Sequence, residues 1–225
     1  MMRQTGNTKS HQDRLWIGGS PCSGKSSIAR WLAKRYGIAV YQCDAHWDDH
    51  IRVADSATEP ALHSVTTMSW DDLWMRDVAT LVEHERALYR EEFAMIIDDL
   101  GRTDAARPIV AEGAALLPEL VAPLLDQERE AIWIIPTEAF QRATYPQRGA
   151  WVQGILEQCT DPKTAFANWM ARDIAFGQRV ACDAQRLGLR VLRVDGSTSV
   201  QQNAQTVADW FAPHLPATVD RGNAP

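Results

Sequence analysis

The amino-acid sequence predicts an α/β fold, in which helices cover both faces of a five-stranded parallel sheet. Two observations lead to this prediction. Five short apolar runs alternate along the chain with longer segments whose apolar residues recur at helical spacing. At 225 residues, the chain is also long enough for one α/β domain with a core of its own. No internal repeat or linker divides it.

The predicted strands are short, and each ends at a glycine, a proline or a polar residue. Apolar runs of this length with such boundaries are typical of strands that are buried on both faces. The strands are predicted over residues 14–17, 38–42, 108–111, 131–135 and 189–194.

The predicted helices begin and end at residues that commonly start and stop helices. Residues 45–67, by contrast, are polar and are predicted to be irregular. The helices are predicted over 27–36; over 69–100 with Ser69 as cap and Gly101 as stop; over 116–125; after Thr137; from Asp161-Pro162 to Gly188; and over 199–211.

The first predicted strand leads into residues 19–26, which read G-x-x-x-x-G-K-S. This is the Walker A motif, a phosphate-binding loop whose backbone N–H groups surround an anion. The helix that follows adds the positive end of its dipole. The expected ligand is therefore a nucleoside triphosphate, ATP, with Mg²⁺. The predicted nucleotide-binding residues here are Gly19, Ser20, Cys22, Ser23, Gly24, Lys25, Ser26 and Ser27.

Two residues of this loop have predicted roles beyond binding. Lys25 is expected to reach the outer phosphates and to stabilise the charge that develops during transfer. The hydroxyl of Ser26 is expected to hold Mg²⁺, a hard cation that prefers oxygen ligands.

Two carboxylates follow predicted strands directly. Because ligands bind beyond the carboxyl ends of parallel strands, Asp44 and Glu112 are expected near the loop. Asp44 is predicted to act as the base toward a substrate hydroxyl, and its alternative role is to cap the next segment. Glu112 is predicted to orient metal-bound water or the nucleophile, or else to cap a helix, and Gly113 to leave room for a ligand. The sequence does not divide the base role between the two carboxylates.

These features resemble a known family. The loop, the aspartate that closes the second strand and the long helices near the end are similar to the shikimate and gluconate kinase group of P-loop kinases. Glu112-Gly113 instead resembles the uridine kinase group. The resemblance covers residues 14–212, the predicted kinase domain. It implies the three-layer P-loop NTPase fold with sheet order 2-3-1-4-5, ATP with Mg²⁺, and a lid that carries arginines, but no particular acceptor.

The lid is predicted over residues 142–172. By resemblance, Arg142 would stack on adenine and Arg148 would close on the phosphates, a task that Arg172 would perform equally well. Guanidinium suits the task because it grips phosphate oxygens in pairs. The alternative for each of these arginines is a solvated position on a helix.

Two further segments complete the predicted site. By resemblance, Asp195, Gly196 and Ser197 after the last strand would line the adenine pocket, and their alternative is a simple turn. Residues 45–75 are the predicted acceptor-binding insertion, in which Trp47 would stack on a ring or a sugar. Other tryptophans of this segment are as consistent with core packing.

Composition excludes several classes of partner. The net charge of −6 and the pI of about 5.5 argue against nucleic acid, whose phosphates require a basic surface. No apolar run approaches the ~18 residues of a membrane span. Residues 1–12 lack the apolar segment of a signal peptide, so residues 1–13 are expected to be a flexible leader and residues 213–225 a disordered tail. A cytoplasmic monomer or homodimer is expected.

Together these features predict a Mg²⁺- and ATP-dependent kinase that moves the γ-phosphate to a hydroxyl of a small molecule. Two alternatives stay open. A nucleoside or nucleotide kinase is suggested by Glu112-Gly113 and the aromatic residues of the insertion. A nucleotide-binding switch protein with slow hydrolysis is the other, although the sequence has no Asn-Lys-x-Asp segment for reading guanine.

Overall fold

The computed structural model describes residues 14–103 and 107–218. The predicted leader, residues 1–13, lies outside the described residues, as do residues 219–225 of the predicted tail. Within the tail, Ala212–His214 forms a 3₁₀ turn and Leu215 packs against the core. No helix of the described part is both long enough and apolar enough to cross a membrane.

The strands form one parallel sheet in the order β2-β3-β1-β4-β5, once numbered along the chain. The predicted fold class and the strand order implied by the family resemblance are both confirmed. The strands are β1 (Arg14–Gly19), β2 (Ala39–Gln42), β3 (Ile109–Glu112), β4 (Ala131–Pro136) and β5 (Val191–Val194).

Helices cover both faces of this sheet. Those in the described ranges are α1 (Lys25–Tyr36), α2 (Cys43–Val53), α3 (Pro60–Ser64), α4 (Trp70–Trp74), α5 (Val78–Arg102), α6 (Pro118–Val121), α7 (Glu138–Thr144), α8 (Ala150–Leu156), α9 (Pro162–Arg186) and α10 (Val200–Phe211). Short 3₁₀ turns follow α6, α7 and α10 and precede β4.

Strand β4 shows how the helices of the two faces are held to the sheet. Its residues alternate between two core clusters, and all six are buried. Ile132 and Ile134 pack with α1 and α10, whereas Trp133 and Ile135 pack with α5 and α9. Burial on both faces explains why the strands read as continuous apolar runs rather than as alternating patterns.

The segment between β2 and α5 differs from the prediction. Residues 45–67 are not irregular, because α2 and α3 form there. Tertiary contacts explain both helices. His50 anchors α2 through hydrogen bonds of 3.1 Å to Glu92 and of 3.1 Å to Asp99. The Glu91 carboxylate of α5 caps α3 by accepting the N–H groups of its residues 61 and 62, at 3.1 and 2.7 Å.

Two predicted helix boundaries were also wrong. Ser69 caps only the five-residue α4, through a capping box with Asp72. The long helix α5 has its own N-cap, Asp77, whose carboxylate accepts the Thr80 N–H at 2.9 Å. Gly101 lies within the last turn of α5 and does not stop it. Of the predicted helix over 116–125, α6 and a 3₁₀ turn form.

Two helical glycines give a matched test of packing. A Cβ at Gly177 of α9 would lie 2.7 Å from Ser20 Oγ, whereas a Cβ at Gly101 of α5 would meet nothing within 4 Å. We expect Gly177→Ala to lower the free energy of unfolding by about 1–3 kcal/mol through overpacking. Gly101→Ala should raise it by about 0.5–1 kcal/mol. Denaturant titration measures both, and equal stability of the two variants would contradict the close approach of α9 to the loop after β1.

Candidate active site

The loop that joins β1 to α1 has an unusual backbone. Cys22 has a φ of 63°, the only positive value of a non-glycine residue in the described ranges, and Gly24 has a φ of 82° where it caps α1. A left-handed conformation costs a non-glycine residue roughly 1–2 kcal/mol. No acceptor within the described ranges takes the N–H groups of Cys22, Ser23 or Gly24. These groups and the first turn of α1 are therefore available to an anion.

Lys25 lies inside this loop and is buried. Its ammonium donates to the Ser20 carbonyl at 2.8 Å and approaches Ser23 Oγ at 3.4 Å. Burial lowers the pKa of Lys25, while the carboxylates of Glu112 and Asp44 act to raise it. The two carboxylates are thus close enough to Lys25 to interact with its charge.

A cavity of about 960 Å³ opens above the loop, at the carboxyl ends of the strands. It brings together most of the residues that the sequence singles out. Those that line it are Cys22, Ser23, Gly24, Lys25, Ser26, Ser27, Asp44, Trp47, Glu112, Arg148, Arg172 and Gly196. Those that do not are Gly19, Ser20, Gly113, Arg142, Asp195 and Ser197.

Two residues outside the cavity have other contacts. A Cβ at Gly113 would lie 2.6 Å from the sulfur of Cys43, so Cys43 occupies the space expected for a ligand. The prediction that Gly113 leaves room for a ligand is therefore wrong, because a glycine is required there by packing against Cys43. Arg142 is exposed and pairs with Glu138 one helical turn away, at 3.0 Å.

The loop after β5 is a turn. The Asp195 carboxylate accepts the Ser197 N–H at 2.9 Å and the Ser197 hydroxyl at 2.6 Å. Gly196 lies against the ring of Phe140, where a Cβ would be 2.8 Å from the nearest ring carbon. Gly196 and Phe140 both line the cavity, so an aromatic ring from α7 forms this end of it.

The two candidate bases occupy different environments. Glu112 is the last residue of β3 and is buried. Gln42, its register partner on β2, donates to Glu112 Oε1 at 2.9 Å and fixes the carboxylate. Asp44 lies in the first turn of α2 and is exposed. Asp44 thus lies at the N-terminal end of α2, on the side of the cavity.

A cluster of charges lines the same cavity, and of its members only Arg172 was predicted from the sequence to lie at the site. Arg172 on α9 pairs with Glu85 on α5 at 3.2 Å and with Asp173 at 2.6 Å, and its guanidinium lies 4.7 Å from the ring centre of Trp74. Burial raises the pKa of Glu85 to about 7. Burial works to lower the pKa of Arg172, but Asp173 and Glu85 outweigh it and the pKa is raised.

Aromatic side chains form much of the cavity wall. Trp74 stacks on Trp169 with ring centres 4.0 Å apart, and Trp151 and Tyr145 approach Trp169 at 5.7 and 5.8 Å. Arg148 is exposed and lies over the rings of Tyr145 and Trp151, at 5.3 and 5.4 Å. The sequence left Trp70 and Trp74 equally consistent with core packing, and their partners from α8 and α9 could not be read from it.

No protein-family model matches the chain, and no curated protein sequence matches it. Among solved structures, the chain is similar to a gluconokinase from Sinorhizobium meliloti, with 15% identity over 92% of this chain and 95% of that one, and a TM-score of 0.45. It is similar to a shikimate kinase from Acinetobacter baumannii, with 12% identity over 91% of this chain and 95% of that one, and a TM-score of 0.47. A shikimate kinase from Aquifex aeolicus has 14% identity over 89% of this chain and 96% of that one, with a TM-score of 0.42.

Proposed function

We propose that the protein is a kinase that transfers the γ-phosphate of ATP, with Mg²⁺, to a hydroxyl of a small molecule. The observation that carries this proposal is the position of Lys25. It lies buried in a G-x-x-x-x-G-K-S loop with free N–H groups, under a cavity that Glu112 and Asp44 also line. Phosphoryl transfer requires a cation, backbone N–H donors and carboxylates around one cavity.

The loop would hold the phosphates. Its N–H groups and Lys25 would bind the β- and γ-phosphate oxygens, and Phe140 and Gly196 would border the nucleobase. Ser26 lines the cavity directly after Lys25 and supplies a hydroxyl oxygen, the ligand type that Mg²⁺ prefers. When bound, Mg²⁺ would neutralise charge on the phosphate oxygens. Glu112 is suited to the outer coordination shell of Mg²⁺, because Gln42 already holds the Glu112 carboxylate in place.

The acceptor would bind between the α2–α4 segment and the predicted lid, residues 142–172. The carboxylate of Asp44 or Glu112 would take the proton of the acceptor hydroxyl. The hydroxyl oxygen would form a bond to the γ-phosphorus as the bond from that phosphorus to the departing ADP oxygen breaks.

The arginines divide between two tasks. Arg148 is exposed, and its charge acts on Cys22 and on Lys25, so it is the arginine suited to the transferring phosphate. Arg172 is committed to the carboxylates of Glu85 and Asp173 and would shape the acceptor end instead.

A nucleoside kinase is a second candidate, because Trp47, Trp70 and Trp151 line the cavity without being fully buried and would offer stacking surface to a nucleobase. A nucleotide-binding switch with slow hydrolysis is the third. The three differ in what accelerates ADP release.

The test mixes the protein with MgATP and pooled hydroxyl-bearing metabolites, nucleosides among them, and follows ADP. Release that depends on an added acceptor is expected, and the responding subset of the pool then identifies the acceptor class. Slow release that no acceptor accelerates would favour the switch. If calorimetry shows that folded protein takes up neither ATP, GTP nor their diphosphates in the presence of magnesium, the proposal fails.

A further inference from the structure

The acceptor end of the cavity bears on which molecule receives the phosphate. We define this end by Trp47, Trp70, Trp151, Glu85 and Asp173. The three tryptophans are not fully buried, and each lines the cavity. Flat apolar surface of this kind favours a ligand with a ring.

The charges of the cavity are unbalanced. Among the residues that line it, the carboxylates are Asp44, Glu85, Glu92, Glu112 and Asp173, whereas the cations are Lys25, Arg30, Arg148 and Arg172. The cations are also unevenly placed. Lys25 and Arg30 belong to α1, which follows the phosphate loop, whereas Arg148 lies over the ring of Trp151, and its charge acts both on Lys25 and on Asp173.

Arg172 is the remaining cation, and it is already paired. Two carboxylates hold it, and Trp74 lies against its guanidinium. Apart from Arg148, which the proposed reaction assigns to the transferring phosphate, the described part of the cavity therefore offers no cation without a carboxylate partner at its acceptor end. An anionic ligand there would have to be desolvated beside two carboxyl groups that already share the one cation Arg172.

Two carboxylate oxygens at this end of the cavity, by contrast, lack a hydrogen-bond donor in the described part of the chain. Glu85 Oε2 and Asp173 Oδ2 are buried, and neither has a hydrogen-bond partner within the described residues. A buried carboxylate oxygen without a donor is costly, so a ligand that brings N–H donors and positive charge would relieve that cost.

Resting on the kinase function proposed above, we infer that the phosphate acceptor is an amine-bearing alcohol with a ring, and not a carboxylic acid or a phosphate ester. The ring packs on the tryptophans of the acceptor end. The ammonium group pairs with the carboxylates of Glu85 and Asp173, while the hydroxyl faces Asp44 and Glu112.

Three probes that share one phenyl ring and a benzylic hydroxyl test this inference. They are phenylethanolamine, which is a cation; styrene glycol, which is neutral; and mandelate, which is an anion. Each is titrated without nucleotide, following tryptophan fluorescence and heat. We expect phenylethanolamine to bind at least about tenfold more tightly than mandelate, with styrene glycol between them.

Glu85→Gln is expected to reduce the preference for the amine several-fold, and Asp173→Asn tests the same charge if the first variant does not fold. Glu83→Gln is the matched control, because Glu83 is exposed on the same helix. Mandelate binding as tight as the amine, or no binding of the amine at millimolar concentration, would overturn the inference. Because no nucleotide is present, this result stands apart from the nucleotide-binding test of the kinase function.

Discussion

Lys25→Ala is expected to lower the rate of phosphoryl transfer by about 10³-fold or more. Lys25 is the buried cation of the loop, and its ammonium lies within hydrogen-bond distance of the Ser20 carbonyl. In the proposed reaction it moves no proton and only stabilises negative charge on the transferring group. A desolvated, fixed charge of this kind is worth more to the transition state than the same charge in water. The loss of rate should therefore be measured as a lower kcat.

The fold should survive the substitution. The hydrogen bonds of Lys25 stay within its own loop, to the Ser20 carbonyl and Ser23 Oγ. Glu112 keeps its partner Gln42. Lys34→Ala is the control, because Lys34 is exposed near the other end of the same helix. Turnover is measured by ADP release and stability by denaturant titration. A folded Lys25→Ala variant with full activity would show that this loop does not serve the chemistry.

The fold could be predicted because the signals that specify it are local. The run from Ala131 to Pro136 is apolar throughout, and it becomes the buried strand β4. Thr137, Asp161 and Ser199 each begin a helix by accepting backbone N–H groups, as their sequence context predicts. Such signals depend on a few consecutive residues, so they can be read before any tertiary contact is known.

The segment between β2 and α5 could not be predicted for the opposite reason. The N-terminal cap of α3 comes from Glu91, about thirty residues further along the chain. The buried face of α2 depends on His50, whose partners lie on α5. A polar residue whose partner is remote reads in the sequence as an exposed residue, and a helix held by such residues reads as a loop.

The same limit applies to the candidate site. The sequence singles out Lys25, Asp44 and Glu112 because the loop motif and the strand ends mark them. Glu85 and Asp173 lie in the middle of long helices, where acidic residues usually face solvent. Only the packing of α5 on α9 shows that they are buried around Arg172.

The second large effect concerns the base. Asp44→Asn is expected to lower kcat by about 10²-fold or more, because the amide keeps the shape of the side chain and cannot take a proton. Asp44 is the better candidate, since it is exposed in the first turn of α2 and lines the cavity, where an acceptor hydroxyl can approach it. Glu112 is buried and already accepts a hydrogen bond from Gln42.

Glu112→Gln separates the two roles. If Glu112 orients the magnesium shell, its replacement should raise the Mg²⁺ concentration needed for half-maximal rate, an effect that Asp44→Asn should lack. Asp48→Asn is the control, because Asp48 is exposed on the same helix as Asp44. An unchanged kcat in Asp44→Asn would move the base role to Glu112. The proton would then leave through a carboxylate held by β2 and β3, so the acceptor hydroxyl would have to reach the end of the sheet rather than the mouth of the cavity.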